Sequence, residues 1–330
     1  MNKKDETKRK NEELFSEQTS LVSSKDVCLN EIVNGVPYYA TIISGDNIYS
    51  VDNLRVDFFL TDEISHQICA DEHWIKQHIK NAVCTDTDKR PHHYTEVCKV
   101  VYDKDATMCL HLVLNSSVVP KRCYLEVNPN KCFNIQQCLD DIKFLLSNST
   151  SYTIKRLDVA VDVPVVRKSV SVIKDKRTKI DIYTTKDSPS EYLGKKRNTR
   201  GRVKVYDKHK EAGLPYNLTR VELTLGNPLG SNWNSDLIKT LPEIYIKQGI
   251  ARRKTYSVKL NDTEKVLVDL LFESPKKLNY WNRLCYREKK KIEAIIKANE
   301  KKLEFDCEAI YRAAMSIVDT LTLYNTYIGG

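Results

Sequence analysis

The 330-residue chain has no run of about 18 uninterrupted apolar residues, so no bilayer-spanning helix is expected. It holds ten cysteines, yet no two stand as C-x2-C, the spacing of zinc ribbons and thioredoxin-like sites. It also lacks a Walker A loop, a G-x-G-x-x-G turn and an H-E-x-x-H helix, which leaves ATPase, dehydrogenase and zinc-protease readings without footing. The opening MNKKDETKRKNEELF is too charged for the apolar core of a signal peptide. Several cysteines, such as Cys109 in MCLHLVL, sit in apolar runs like small core hydrophobes. Free thiols in a reducing, cytoplasmic compartment are therefore expected, with a disulfide framework or a zinc site as the alternatives.

Hydrophobic residues make up 41% and charged residues 29%, enough for a true core and about two domains. The formal net charge is +9, and its location is informative. Between Arg167 and Lys210 stand 15 Lys/Arg against 5 Asp/Glu, so this segment is +10 and the rest of the chain sums to −1. It contains KDKRTK (174–179) and GKKRNTRGR (194–202), interleaved with tyrosines and threonines. A solvated basic loop is one reading. A phosphate-binding surface is the other.

Residues 1–26 read as a mobile polar tail. VPYYATIISG and NIYSVDNLRVDFFL read as strands about a turn at 44–47, and residues 61–81 as helical. VCKVVYD (97–103) and MCLHLVL (108–114) read as paired strands, and RCYLEVNP (122–129) as a strand stopped by Asn-Pro-Asn. NIQQCLDDIKFLLSN (134–148) has helical spacing. KRLDVAVDV (155–163) alternates: Leu157, Val159, Val161 and Val163 point one way, Arg156, Asp158, Ala160 and Asp162 the other. GRVKVYDK (201–208) and TRVELTL (219–225) repeat the pattern, each with one apolar and one polar face. Helices are expected at 234–250, 262–273, 283–304 and 306–327. The fold class is α+β, antiparallel sheets with flanking helices and a helical C-terminal region. The expected division is tail 1–26, an N-terminal α+β domain 27–118, a catalytic domain 119–232 and a helical region 233–330.

The polar strand faces hold the chemistry. Asp158 and Asp162 lie four residues apart, roughly 13 Å, too far to share one small ion. One can be a ligand while the other holds a neighbouring strand or base. With Glu222 and Glu126 on other strands, Asp158 would form a hard oxygen site suited to Mg²⁺ or Mn²⁺. The simpler alternative is that these carboxylates pair with Arg156, Arg220 and nearby lysines. Tyr192 in SEYLGKKRN is a candidate nucleophile, because cations and a metal stabilise a phenolate while neutralising an attacked phosphate. Gly194 would allow close backbone approach. Histidine-type metal nucleases need His-hydrophobic-His on a strand. Here His92 and His93 are adjacent and face opposite ways, and His111 has no partner two residues away.

YLEVNPNK, RLDVAVDV, EYLG with its basic run, VYDK and RVELTL follow in that order over about residues 120–226. This set resembles the Rep_trans family of rolling-circle replication initiators of small plasmids. The resemblance implies a metal-dependent DNA nicking-closing enzyme, related in fold to histidine-type (HUH) replication nucleases but with carboxylates at the metal. It implies Tyr192 as nucleophile and Glu126, Asp158 and Glu222 as Mg²⁺ or Mn²⁺ ligands, with Asp162 in support. Lys208 would position a phosphate, and Lys195, Lys196, Arg197, Arg200, Arg202 and Lys204 would bind DNA. Implied partners are double- and single-stranded origin DNA, a host helicase and DNA polymerase, and a second copy in a homodimer. Members often carry Gly-Ser-Arg-Lys-Ser after the tyrosine. Here Gly194-Lys195-Lys196-Arg197-Asn198 keeps the charge and lacks both serines. The alternatives are a relaxase of a conjugative or mobilisable element, whose usual N-terminal helix-turn-helix residues 1–35 are too short and polar to supply, and a non-enzymatic DNA-binding protein.

Overall fold

A computed structural model describes residues 28–29, 32–33, 36–37, 41–71, 73–88, 93–116, 121–173, 180–185, 188–194, 201–226, 237–238, 240–246 and 284–323. The expected tail, the 262–273 helix and the KDKRTK run lie outside the described residues. The strands are β1 (Cys28–Leu29), β2 (Ile32–Val33), β3 (Val36–Pro37), β4 (Thr41–Ser44), β5 (Asn47–Leu60), β6 (Ala82–Asp88), β7 (His93–Val101), β8 (Thr107–Ser116) and β9 (Cys123–Val127). After them come β10 (Ser149–Val163), β11 (Val170–Val172), β12 (Ile180–Thr185), β13 (Ser188–Leu193), β14 (Arg202–Asp207), β15 (Thr219–Gly226), β16 (Ile244–Ile246) and β17 (Lys301–Lys302). The helices are α1 (Asp62–Ala70), α2 (Trp74–His78), α3 (Pro129–Cys132), α4 (Gln136–Ser147), α5 (Lys208–Ala212), α6 (Tyr286–Asn299) and α7 (Cys307–Leu323).

One twelve-stranded antiparallel sheet organises the chain, in the order β12-β13-β14-β15-β10-β5-β9-β8-β7-β6, with β4 and β1 off this path. The two longest strands, β5 and β10, pair along most of their length at its centre. The other edge of β5 is shared, β4 taking Asn47–Tyr49 and β9 taking Leu54–Phe58. Strand β8 pairs with β9, so one sheet holds strands from both sides of the expected border at 118.

The alternation of β10 has its apolar consequence: Leu157, Val159, Val161 and Val163 are buried in the core beside Leu54, Val56, Leu223 and Val205. Helix α7 packs on β4, β5 and β10. It buries Ile310, Ala313, Ala314, Ile317 and Leu321, a stripe at helical spacing. Asp306 precedes it, and its carboxylate accepts the backbone N–H of Glu308 (2.9 Å) and Ala309 (3.0 Å). The same carboxylate accepts the Ser44 hydroxyl at 2.5 Å, and the Asp306 N–H donates to Tyr49 Oη at 3.1 Å.

The helical reading of 234–250 holds at residues 237, 238 and 240 and needs correction at β16, the centre of a small sheet ordered β11-β16-β17. Tyr245 and Ile246 find strand partners far along the chain, at Ser171, Val170 and Lys301 to Lys302, and local spacing carries no trace of them. The expected 283–304 helix is shorter, α6 ending at Asn299 before β17.

Candidate functional site

The register of β13, β14, β15 and β10 sets out the polar face in rows. Tyr192 lies opposite Lys204, Lys204 opposite Glu222, and Glu222 opposite Ala160. One row away are Arg202, Thr224 and Asp158, and on the other side Tyr206, Arg220 and Asp162. Directly opposed residues in a sheet share a face, so Tyr192, Lys204 and Glu222 do too. At about 4.8 Å per strand, Tyr192 and Glu222 are roughly 10 Å apart at Cα. The Arg202 guanidinium stands 4.7 Å from the centre of the half-buried Tyr192 ring, a cation–π contact.

Strand β13 is anchored from its other face. There the buried Glu191 carboxylate accepts from Arg167 at 2.6 Å, while Arg167 also donates to the Val170 carbonyl. Just after Tyr192, Gly194 has φ 96°, and Gly201 has φ 68°, left-handed values that favour glycine. Between these glycines run Lys195, Lys196, Arg197 and Arg200, which lie outside the described residues.

The carboxylates fall into two groups. Asp162 is 2% exposed and accepts two hydrogen bonds of 2.7 Å from Arg220, which is 0% exposed. The third Arg220 nitrogen donates to Asp52 at 2.8 Å, and Asn128 donates to the same Asp52 oxygen at 3.2 Å. Burial pushes the Asp52 carboxyl up, but the Arg220 and Lys208 charges and the Asn128 bond outweigh it and hold Asp52 below the usual range. Lys208 is itself buried and pairs with Glu211.

Asp158, 1% exposed, is paired with Arg156 through two guanidinium nitrogens. Glu222 pairs with Lys204 at 3.3 Å, and Glu126 with Arg55 at 3.3 Å. The Glu222 carboxyl is raised, first by burial and further by the charges of Asp158 and Asp52, against the pull of Lys204 and Arg220. Burial would lower Arg156, yet its pair with Asp158 and the charges of Glu126 and Glu222 hold it above its ordinary value. One guanidinium thus sits in the field of all three expected metal ligands.

Glu222 and Asp158 are diagonal neighbours, about 7–8 Å apart at Cα. Hard oxygens around a required positive charge suit a divalent cation in donor chemistry. Among the described residues, however, no three carboxylates bring ligand oxygens within 4.8 Å of one another. Glu126 stands apart from the pair, two strands beyond β10 with β5 between. So the fold gathers Tyr192, Arg202, Lys204, Glu222 and Asp158, and sets Asp162, Glu126 and Lys208 in other ion pairs.

The polar face is covered at its centre by ion pairs, as the simpler of the two sequence readings has it. Arg156, Arg220 and Lys204 bond to the shorter carboxylates and leave Asp158 and Asp162 buried. Sequence reasoning missed Asp52. The β5–β10 register shifts between Asp158 and Val159, and that irregularity skips Asp52 in the pairing.

No family model and no curated protein matches the chain. Among solved structures, one similar chain is the rolling circle replication initiator protein from Geobacillus stearothermophilus, at 13% identity over 76% of this chain and 97% of that one, with a TM-score of 0.32. So loose a superposition leaves the reading of the site to its own residues.

Proposed function

We propose that this chain is a replication initiator that nicks the double-stranded origin of a plasmid for rolling-circle replication. The observation that carries the reading is the cross-strand row Tyr192–Lys204–Glu222, with Arg202 against the phenol and Asp158 one position away. Tyr192, Arg202 and Lys204 lie within the one segment that carries the chain's cationic excess.

In the proposed reaction Tyr192 Oη attacks the scissile phosphorus and the bond to the 3′ oxygen breaks. The phenol proton goes to water and the 3′ oxygen takes one from water. The products are a 5′-phosphotyrosine and a free 3′-OH, which primes synthesis by a host DNA polymerase behind a helicase. A later 3′-OH attacks the phosphotyrosine, reseals the strand and releases Tyr192. Arg202, against the Tyr192 ring, and Lys204 offset charge on the phosphate, and the Lys195–Arg200 cations hold the flanking backbone. Mg²⁺ or Mn²⁺, held by Asp158 and Glu222, would polarise the phosphate, and Glu126 would serve as third ligand only by leaving Arg55. Asp162 supports the site by holding Arg220 of β15. To position a phosphate, Lys208 exchanges its Glu211 partner for it. A homodimer is the proposed assembly.

The test is nicking of supercoiled plasmids bearing candidate origins with Mg²⁺ or Mn²⁺, followed by mass-spectrometric mapping of the DNA-linked residue. Linkage at Tyr192 is expected, and linkage at another tyrosine overturns the assignment. Plasmid that is bound but left closed favours a DNA-binding protein without catalysis. Cutting confined to a transfer origin favours a relaxase.

A further inference from the structure

The far end of the sheet holds a second cluster. Strand β7 places Tyr94, Glu96, Cys98 and Val100 on one face by its period of two, and all four are buried. Cys84 of β6 lies directly opposite Cys98, and the register shifts just after it, between Cys84 and Asp86. The two sulfurs are 2.7 Å apart. The Glu96 carboxylate, on a residue 3% exposed, lies with both sulfurs inside a 4.8 Å sphere of ligand atoms, and Tyr94 Oη donates to it at 2.7 Å.

We propose that Cys84, Cys98 and Glu96 form a binding site for a soft divalent cation, Zn²⁺, that ties the β6–β7 hairpin. Two thiolates and one carboxylate are a zinc donor set, and thiolates select against Mg²⁺ and Ca²⁺. Binding releases two thiol protons and forms two Zn–S bonds and one Zn–O bond. With Zn–S near 2.3 Å and tetrahedral angles, the sulfurs sit about 3.8 Å apart, so the pair opens by about 1 Å. The half-exposed Cys84 leaves the fourth position to water.

Glu96 separates this reading from a simple cross-strand disulfide. A buried carboxylate is costly without a balancing charge, and a disulfide supplies none. A cation also changes the state of the thiols. Without one, burial pushes Cys84 up to about 11 and Cys98 higher still, so both remain protonated. Tyr94, held by Glu96 and raised by burial, serves as the outer partner that orients the carboxylate. The cluster is seven strand steps from β13, roughly 34 Å along the sheet, and its occupancy is separable from the Tyr192 chemistry.

The full-length protein, reduced and freed of metal by a chelator, is titrated with Co²⁺ and then Zn²⁺. One equivalent per chain, a thiolate-to-cobalt charge-transfer band and its loss on adding Zn²⁺ are expected. C84S should abolish the band. C132S, which alters a cysteine outside the cluster, should keep it. E96Q should keep the band and weaken Zn²⁺ binding about 10-fold or more. Absence of the band in the unmodified protein, its persistence in C84S, or recovery of a Cys84–Cys98 disulfide from non-reduced protein each overturns the proposal.

Discussion

Asp158 and Asp162 occupy the same strand and the same face, four residues apart, each bound by a guanidinium, yet their surroundings differ. Around Asp162 the charges are closed. Arg220 meets Asp162 and Asp52, and Lys208 stands near enough to act on Asp52. Around Asp158 each carboxylate has its own cation, Arg156 for Asp158, Lys204 for Glu222 and Arg55 for Glu126, yet Arg156 also feels Glu126 and Glu222, and Glu222 is raised above its ordinary value. The closed end behaves as a structural rivet. The open end would, in the proposed reaction, exchange a side-chain cation for a metal ion; Tyr192 is in row with Ala160, midway between the two aspartates, and Arg202 on the Asp158 side meets its ring. Identical residue types on one strand thus come to different surroundings according to what the neighbouring strands put opposite them.

The largest effect expected from the open end is on rate. Tyr192→Phe should lower nicking of supercoiled origin plasmid by about 10⁴-fold or more, about 5.5 kcal/mol, while origin binding in a mobility-shift assay is nearly unchanged. Residual nicking at the normal rate would remove Tyr192 from the reaction. At the closed end the effect should be on stability. Arg220→Met leaves Asp162 buried and unpaired and takes the guanidinium from half-buried Asp52, and urea denaturation should show a loss of about 3–5 kcal/mol. A loss under about 1 kcal/mol would mean that the rivet is not one.

Titration gives a third contrast. Glu222 has a raised carboxyl, so a proton competes with a cation there. The Mn²⁺ affinity of the wild type should climb as pH rises above the ordinary carboxylate range and level once Glu222 is ionised. Glu222→Gln should show a flat profile, and an equal slope in both proteins would contradict the placement of the ion. Asp52 has the opposite sign. Its depressed carboxyl contributes stability that is present above the unfolded value and lost as pH falls through the folded one. Asp52→Asn should therefore erase part of the acid sensitivity seen in denaturation midpoints. The smallest effect is at the helix cap, where Asp306→Ala should cost about 1 kcal/mol by thermal denaturation.

Much of the central sheet was legible because β10, β14 and β15 alternate strictly, and alternation follows directly from strand geometry. The same rule put Lys204, Glu222 and Asp158 on polar faces, and the basic run after it marked Tyr192, without showing which were neighbours. That required the register, which depends on contacts more than ten residues apart. Asp52 and the Cys84–Cys98–Glu96 cluster were not legible. The first depends on a β-bulge, and the second joins cysteines fourteen positions apart that only a hairpin brings face to face. Short strands such as β16 are invisible for a similar reason, since three residues carry too little period to separate from a helix.

Asp306 has a consequence for how the last helix forms. The carboxylate that starts α7 is held by Ser44 and by the backbone tie to Tyr49, so the helix's first turn is completed only against β4 and β5. Winding and docking are then a single event, and an isolated peptide of this segment should coil poorly in water. When α7 loosens in the native protein, amide exchange should begin at Leu323 and travel backward, with the turn beside Asp306 the last to open.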